Sequence, residues 1–399
     1  MTATPIGTDQ PENPADPPRS GEEREARMRS FRQRTTRWIG LGLALALVLA
    51  ACGNGEEVDT ADPDADPAEE ATEDDDAEEA APDAGPFTIG VSNGFTASEW
   101  RTQMIANLEE AVAEYQEQGL IDDLIIENDD VDEAGQIEQI RNLVNAGVDA
   151  IIINPNSPDA LNAAFDEAAA EGVLIYAVDQ AVTSDSVTNV VIDQGQWAQI
   201  SAEWLADQVG EGSEIVMVNG IAGHPANEAR VSGAMSVFED ANIEVLANAN
   251  ADWSQAEGQS VMQELLSQYG DQIDGVWAQD GVAEGVLRAL IDADRLDLVT
   301  TGEARAGYLR LWDENDVDTI GVINPPGVAV TALRVALMEL QGETIDESQL
   351  TDGNTLLLPL PDSFTNANLD EALERAEGEP DGYSLDVMLT EDEVAQFFQ

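Results

Sequence analysis

The sequence predicts an α/β protein made of two doubly wound, parallel-sheet lobes. Three observations carry that expectation. From Phe87 onward, short β-rich runs alternate with stretches of helical period. One run, Ala150–Pro155 ("AIIINP"), is continuously apolar, as in a strand covered by helices on both faces. The runs number about ten, more than one Rossmann-like sheet usually holds, so two sheets of about five or six strands are predicted.

The elements follow in order. "FTIGVS" (Phe87–Ser92) reads as the first strand, and Leu108, Val112 and Tyr115 share the face of the helix after it. "LIIEN" (Leu124–Asn128) is the next strand, and Ile137, Ile140 and Val144 mark the next helix. After "AIIINP" come "VLIYAVD" (Val173–Asp179), "EIVMVNG" (Glu214–Gly220), "IEVLANA" (Ile243–Ala249) and "GVWAQD" (Gly275–Asp280). "LVTTGE" (Leu298–Glu303) and "TIGVINP" (Thr319–Pro325) complete the series, and "GNTLLLPLP" fits a closing strand. Near the C-terminus, "LTEDEVAQFF" reads as a short helix capped by Thr390, with Val394, Phe397 and Phe398 docking. Repeated βα units make parallel sheets with helices on both faces. Ligands bind such sheets at the carboxyl ends of strands. The polar residues there are Ser92, Asn93, Asp179, Asn219, Asp280, Glu303 and Asn324. Helix caps and turns favour the same residue types, so each has both readings.

The N-terminus reads as an address. Residues 1–51 are expected to be a signal peptide with an N-terminal extension. A polar, Pro-rich opening leads to a basic run of Arg24, Arg27, Arg29, Arg32, Arg34 and Arg37, then to the apolar stretch Ile39–Ala51. That stretch is too short to span a bilayer comfortably and suits a signal-peptide core. It ends in "LAACG", where Cys52 is the single cysteine of the chain. The pattern resembles the bacterial lipoprotein signal, in which lipid is attached to such a Cys. Residues 52–86 then read as a tether. Gly53–Asp83 carries 15 acidic residues and no basic one, so it cannot bury enough apolar surface to fold. The expectation is an extracytoplasmic body anchored to the cell membrane through Cys52.

The charge balance narrows the partners. The 399 residues hold 81 Asp and Glu against 16 basic residues, for a net charge of −65, and every basic residue is Arg. Such a surface repels nucleic acid, whose binding needs Lys and Arg on the phosphates. It fits solubility in a salty medium, where screening weakens self-repulsion. Enzyme readings find little support. The single His is His224 and the single Cys is the lipid site, so no nucleophilic triad or zinc cluster can be assembled. A P-loop needs a Lys, and "GxSxG" and strand-associated "GxGxxG" motifs are missing. No catalytic residue, metal or cofactor is predicted.

Several blocks, in order, resemble the type I periplasmic sugar-binding proteins, the ribose-binding-protein-like solute receptors of ABC transporters. They are "TIGVSNGFTASEW", "NAGVDAIIINPNSPDALNAAFDEAAAEGVLIYAVDQ", "VNGIAGHPANEARVSGAMSVF", "NADWSQAEGQSVMQELL", "VWAQDGVAEGVLRAL" and "TGEARAGYLRLW". The resemblance implies two lobes joined by crossover strands, with a small polar ligand clamped between them and delivered to a transporter permease. It implies an N-lobe of residues 87–194 plus 325–345 and a C-lobe of 195–324 plus 346–399, in a monomer. It also implies ligand contacts. Asn93 and Trp100 follow the first strand, and Asp179 takes the place of an Asp that bonds sugar hydroxyls. Trp253 takes the place of a ring-stacking aromatic. Asp280, Glu303 and Asn324 match polar positions after later strands. Asn227 and Glu228 lie in "HPANEAR", where Glu228 aligns with a sugar-binding Arg and Arg230 follows two residues later.

Sugars expose hydroxyls in the ring plane and an apolar ring face, so Asp, Asn and Trp at strand ends suit them. Trp197, Trp204, Trp277 and Trp312 lie on apolar-patterned segments and are expected in the core, whereas Trp100 and Trp253 lie in loops. Gln180 stands where relatives often have Arg. A pocket of Asp179, Glu228, Asp280 and Glu303 with few guanidinium partners would also suit an amino sugar, a polyol or a cation held by cation–π attraction. A sugar-binding protein of an ABC importer is the leading expectation. A ligand sensor for a membrane receptor and a binder of a cationic amine stand as alternatives.

Overall fold

The computed structural model describes residues 85–399. The expected signal peptide, Cys52 and nearly all of the tether lie outside the described residues. The described residues form two α/β lobes. In the first, strands β1 (Phe87–Asn93), β2 (Ile121–Asn128), β3 (Ala150–Asn154), β4 (Leu174–Val178) and β5 (Thr188–Val191) pair in parallel, in the order β2-β1-β3-β4-β5. The second repeats this order with β6 (Glu214–Asn219), β7 (Glu244–Asn250), β8 (Gly275–Ala278), β9 (Val299–Glu303) and β10 (Thr319–Val322), arranged β7-β6-β8-β9-β10. In both lobes the order reverses beside the first strand, which opens a crevice at the carboxyl ends.

The helices follow the predicted alternation. They are α1 (Glu99–Glu117), α2 (Glu133–Ala146) and α3 (Asn162–Ala170), then α4 (Gln194–Val209), α5 (Pro225–Asp240), α6 (Gln255–Tyr269), α7 (Val282–Asp292) and α8 (Ala306–Asn315), and then α9 (Val328–Leu340).

 A short helix α10 (Leu369–Arg375) and the C-terminal α11 (Glu391–Val394) complete the set. Side-chain caps start several of them: Ser98 for α1, Asp132 for α2, Asp193 for α4 and Ser254 for α6 each accept from a first-turn amide. Thr390 caps α11, as the sequence predicts, and the structure adds a full capping box with Glu393.

The continuous apolar run of β3 is explained by its two covered faces. Ile152 joins the core that holds Ile89, Val91, Leu108 and Tyr176, while Ile151 and Ile153 join Ile140, Leu143 and Phe165 on the opposite face. In the second lobe, Val218, Met262, Val286, Leu287 and Trp312 form a separate core. Trp197, Trp277 and Trp312 are fully buried, as expected, and Trp204 is partly buried.

The chain passes between lobes four times, the last along residues 376–390 between α10 and α11. Ile192 and Asp193 link β5 to α4, residues 323–327 link β10 to α9, and residues 358–362 link β12 (Thr355–Leu357) to β13 (Ser363–Phe364). Two features differ from the sequence reading. β5 lies where the sequence predicts no strand, because half of "TNVV" is polar and it follows a polar loop. The expected closing strand is β12, and it pairs in parallel with β5 in the first lobe, not in the second. β11 (Leu350–Thr351) pairs antiparallel with β12 at that sheet's edge. In the tail, β13 extends the second sheet beside β10, and α11 returns to the first core through Val394. The physical reason is the open edge of β5, whose backbone groups need a partner.

Candidate functional site

A cavity opens between the lobes at the carboxyl ends of the strands. It holds about 350 Å³ of empty space, counting the part open to solvent. Asp179 follows β4 and Asp280 follows β8, and both have left-handed backbones with φ of 69° and 55°. Asp tolerates that region through its short polar side chain. Trp253, just before α6, also has a φ of 55°, which is unusual for a bulky residue and marks a locally constrained turn.

Asp280 is the centre of the charge arrangement. Its Oδ1 accepts from Arg305 Nη2 at 2.5 Å and from the Gly281 amide at 2.6 Å, while Oδ2 accepts from Arg230 Nη1 at 3.3 Å. Burial would raise its pKa, but Arg305 and Arg230 outweigh that and hold it below the usual aspartate range. Arg230 is 1% exposed. It lies 4.3 Å over the Trp197 ring and donates Nε to Gln194 Oε1 at 2.7 Å. With the Asn324 amide oxygen turned toward it, Arg230 Nη2 donates there at 3.2 Å. The Trp100 indole donates to the Asn324 carbonyl at 2.8 Å.

On the facing lobe, Arg101 Nη1 donates to Asn93 Oδ1 at 2.8 Å and lies 5.7 Å from the Phe95 ring centre. Burial lowers its pKa to about 10, opposed by Asp179, so it stays charged at neutral pH. Asp179 receives Gln194 Nε2 at 3.2 Å on Oδ1. Burial pushes its carboxyl above the usual aspartate range, against the pull of Arg230 and Arg101.

The aromatic wall is braced from behind. The Trp253 indole donates to Gln279 Oε1 at 3.2 Å, and Gln279 Nε2 donates to Asn227 Oδ1 at 2.9 Å. Asn227 also accepts from the Gly220 amide at 2.9 Å. Gly220 is required there, since a Cβ would fall 2.0 Å from the Trp253 ring. The His224 ring meets Trp253 edge-on, with centroids 4.7 Å apart. Burial, with Arg101 and Arg230 nearby, lowers His224 to about 3, so its imidazole is neutral.

The predicted residues therefore divide into groups. Trp100, Asp179, Trp253, Asp280 and Asn324 line the cavity. Asn93 and Asn227 are buried and orient Arg101 and Trp253 from behind. Glu303 is also set back: its Oε2 accepts from Arg305 Nε at 3.0 Å and its Oε1 from Ser384 Oγ at 2.7 Å. Burial raises its carboxyl above the usual glutamate range, although Arg305 opposes this. Glu228 is exposed and turns away, accepting from the Gly223 amide at 2.8 Å. Arg230, two residues on, faces the cavity instead, because that shift carries it to the buried side of α5. The expectation of an acidic pocket with few guanidinium partners is corrected accordingly. Arg101 and Arg230 line the cavity and Arg305 backs it. Sequence reasoning missed Arg101, Arg305 and Phe95. The available signal was scarcity, since residues 85–399 contain nine Arg and no Lys.

A family model described as a periplasmic binding protein domain matches residues 89–344. The chain belongs to the periplasmic binding protein family. Among curated relatives, it is similar to the ribose import binding protein RbsB of Salmonella typhimurium, with 29% identity over 223 residues, covering 55% of this chain and 75% of that protein. It is 34% identical over 178 residues to a xylitol-binding protein of Mycolicibacterium smegmatis, covering 44% of this chain and 50% of that one. Among solved structures, an ABC transporter solute binding protein from Bacillus halodurans with bound myo-inositol aligns with a TM-score of 0.62 and 26% identity, covering 73% of this chain and 99% of that one. One from Thermobispora bispora aligns with a TM-score of 0.69 and 24% identity, covering 78% and 94%, and supports the shared fold. The family consists of binding proteins, which agrees with the non-enzymatic reading. Among the described residues, no helix is long and apolar enough to cross a membrane.

Proposed function

We propose that this protein is a lipid-anchored receptor that captures an uncharged polyhydroxy compound, a sugar or polyol, and delivers it to an ABC importer. The observation that carries this reading is the balance of the cavity wall. Arg101 and Arg230 face Asp179 and Asp280, with Asn324 between the lobes and aromatic rings from both. Hydroxyl groups both donate and accept, so such a wall can satisfy several at once with charge-assisted bonds. Trp253 and Phe95 offer faces for an apolar ring surface. A cationic amine would meet two guanidinium groups, which disfavours that alternative. The names of the ribose and xylitol relatives point to the same chemical class. The passages of the chain between lobes suit hinge closure around the ligand.

A thermal-shift screen of the purified protein against neutral sugars, polyols, amino sugars and amines tests the reading. A neutral ligand at 100 times its Kd should add about 2.7 kcal/mol of stability. Shifts with amines alone would overturn the assignment of the ligand class. Anchoring rests on Cys52 and the apolar run before it. Cys52→Ser should abolish lipid incorporation and release the protein from the membrane fraction, whereas unchanged membrane retention would contradict the anchor.

A further inference from the structure

Residues 381–389 run along both lobes, outside the strands and helices that build either one. On the second lobe, the Gly307 amide donates to the Asp381 carbonyl at 2.9 Å, the Ala306 amide to Tyr383 at 2.9 Å, and the Leu385 amide to Ala304 at 2.8 Å. On the first lobe, Asn107 of α1 donates to Asp386 Oδ2 at 2.6 Å, and the Leu389 amide donates to Thr331 Oγ1 of α9 at 3.1 Å. Arg334 of α9 also donates to the Leu389 carbonyl. The fit against α1 is close at Gly382, where a Cβ would lie 2.3 Å from the Glu99 carboxyl carbon.

Ser384 joins the two sets of contacts within one residue. It is fully buried. Its amide donates to Gln103 Oε1 and its carbonyl accepts from Gln103 Nε2, both at 2.9 Å, so one side-chain amide of the first lobe clamps its backbone. Its hydroxyl donates to Glu303 of the second lobe at 2.7 Å. Glu303 accepts from Arg305, and Arg305 donates to Asp280 on the cavity wall. Arg305 Nη1 also lies 3.7 Å from Glu99 on the first lobe.

We propose that Ser384 is a positioning residue, and that the 381–389 segment is a latch that favours lobe closure and holds Asp280 in its binding orientation through Glu303 and Arg305. This rests on the cleft between the lobes being the binding site. The physical argument is that a segment bonded to both lobes cannot keep both sets of bonds when the lobes separate. Its bonds therefore stabilise the closed state over the open one. Opening would also remove the Ser384 partner of a buried carboxylate, which is costly without replacement.

The test needs no ligand, so its failure is distinguishable from a failure to find the sugar. Amide hydrogen exchange is measured by mass spectrometry on the full-length ligand-free protein, for wild type, Gln103→Ala and Asn107→Ala. Gln103 and Asn107 lie outside both cores and outside the cavity wall. Release of the latch should speed exchange several-fold in 381–389 and also in the remote cavity segments 220–230 and 279–282. Faster exchange confined to 381–389 in both variants would overturn the proposal, because the segment would then only cover the surface. Unchanged exchange everywhere would overturn it as well.

Discussion

Replacing Asp280 with Asn keeps the shape of the side chain but removes the charge shared by Arg230 and Arg305. Two buried guanidinium groups would then lose their common anion. Affinity for the ligand found by thermal shift is expected to fall about 30-fold, or about 2 kcal/mol, as read by titration calorimetry. An unchanged Kd would place the ligand elsewhere. His224 gives a second test at this scale. Its folded-state pKa is about 3 against an ordinary 6.5, so between those values the unfolded chain binds more protons. The His224 contribution to stability is therefore present above pH 6.5 and is lost as pH falls toward 3. His224→Gln should flatten the decline in stability below pH 6.5 relative to wild type, measured by urea unfolding across pH; parallel curves would contradict a buried neutral imidazole. Much of the site was legible at residue scale, because Asp179, Asp280 and Asn324 stand directly after apolar runs. Arg101 and Arg305 were not, since each sits past a strand end and reaches back to the cavity by side-chain length. Glu228 was misplaced because a shift of two positions on a helix reverses the face.

The packing of whole elements depends on a few glycines between helices. At Gly285 of α7, a Cβ would lie 1.9 Å from the Gln255 carbonyl of α6, so these helices approach through bare backbone. Gly285→Ala should force them apart and cost about 1–3 kcal/mol, seen as a lowered midpoint in urea. An unchanged midpoint would mean that α6 shifts freely, and with it the Trp253 turn just before it. The strands most plainly disclosed by the sequence carry continuous apolar runs, such as β3 and β6. Continuous apolar patterns need neighbouring apolar residues to register, so β5, whose first half is the polar pair Thr188 and Asn189, stayed hidden. The lobe to which β12 attaches was not legible either. Pairing is decided by which sheet edge is open, and nothing in "TLL" names that edge.

Across the whole molecule, charge is distributed unequally. Of the nine Arg in residues 85–399, Arg101, Arg230 and Arg305 are buried around the cleft, so few remain to offset the acidic surface. Between about 0.1 and 1 M salt the Debye length falls from about 10 to about 3 Å, which quenches repulsion between exposed carboxylates. The melting temperature is expected to rise over that range; a flat or falling trend would show that repulsion does not limit stability. The order of elements along the chain has a separate consequence, for biogenesis. The first lobe takes α9, β12 and α11 from the far end of the sequence, whereas the second takes only the stretch around β13 and α10 after β10. A chain that emerges N-terminus first thus begins the first lobe early but finishes it last. Until residues 355–357 appear the β5 edge stands bare, and until Val394 appears part of the first core is missing. The second lobe, begun later, has its own parts in hand sooner. The first lobe of such a polypeptide therefore stays incomplete until late in synthesis.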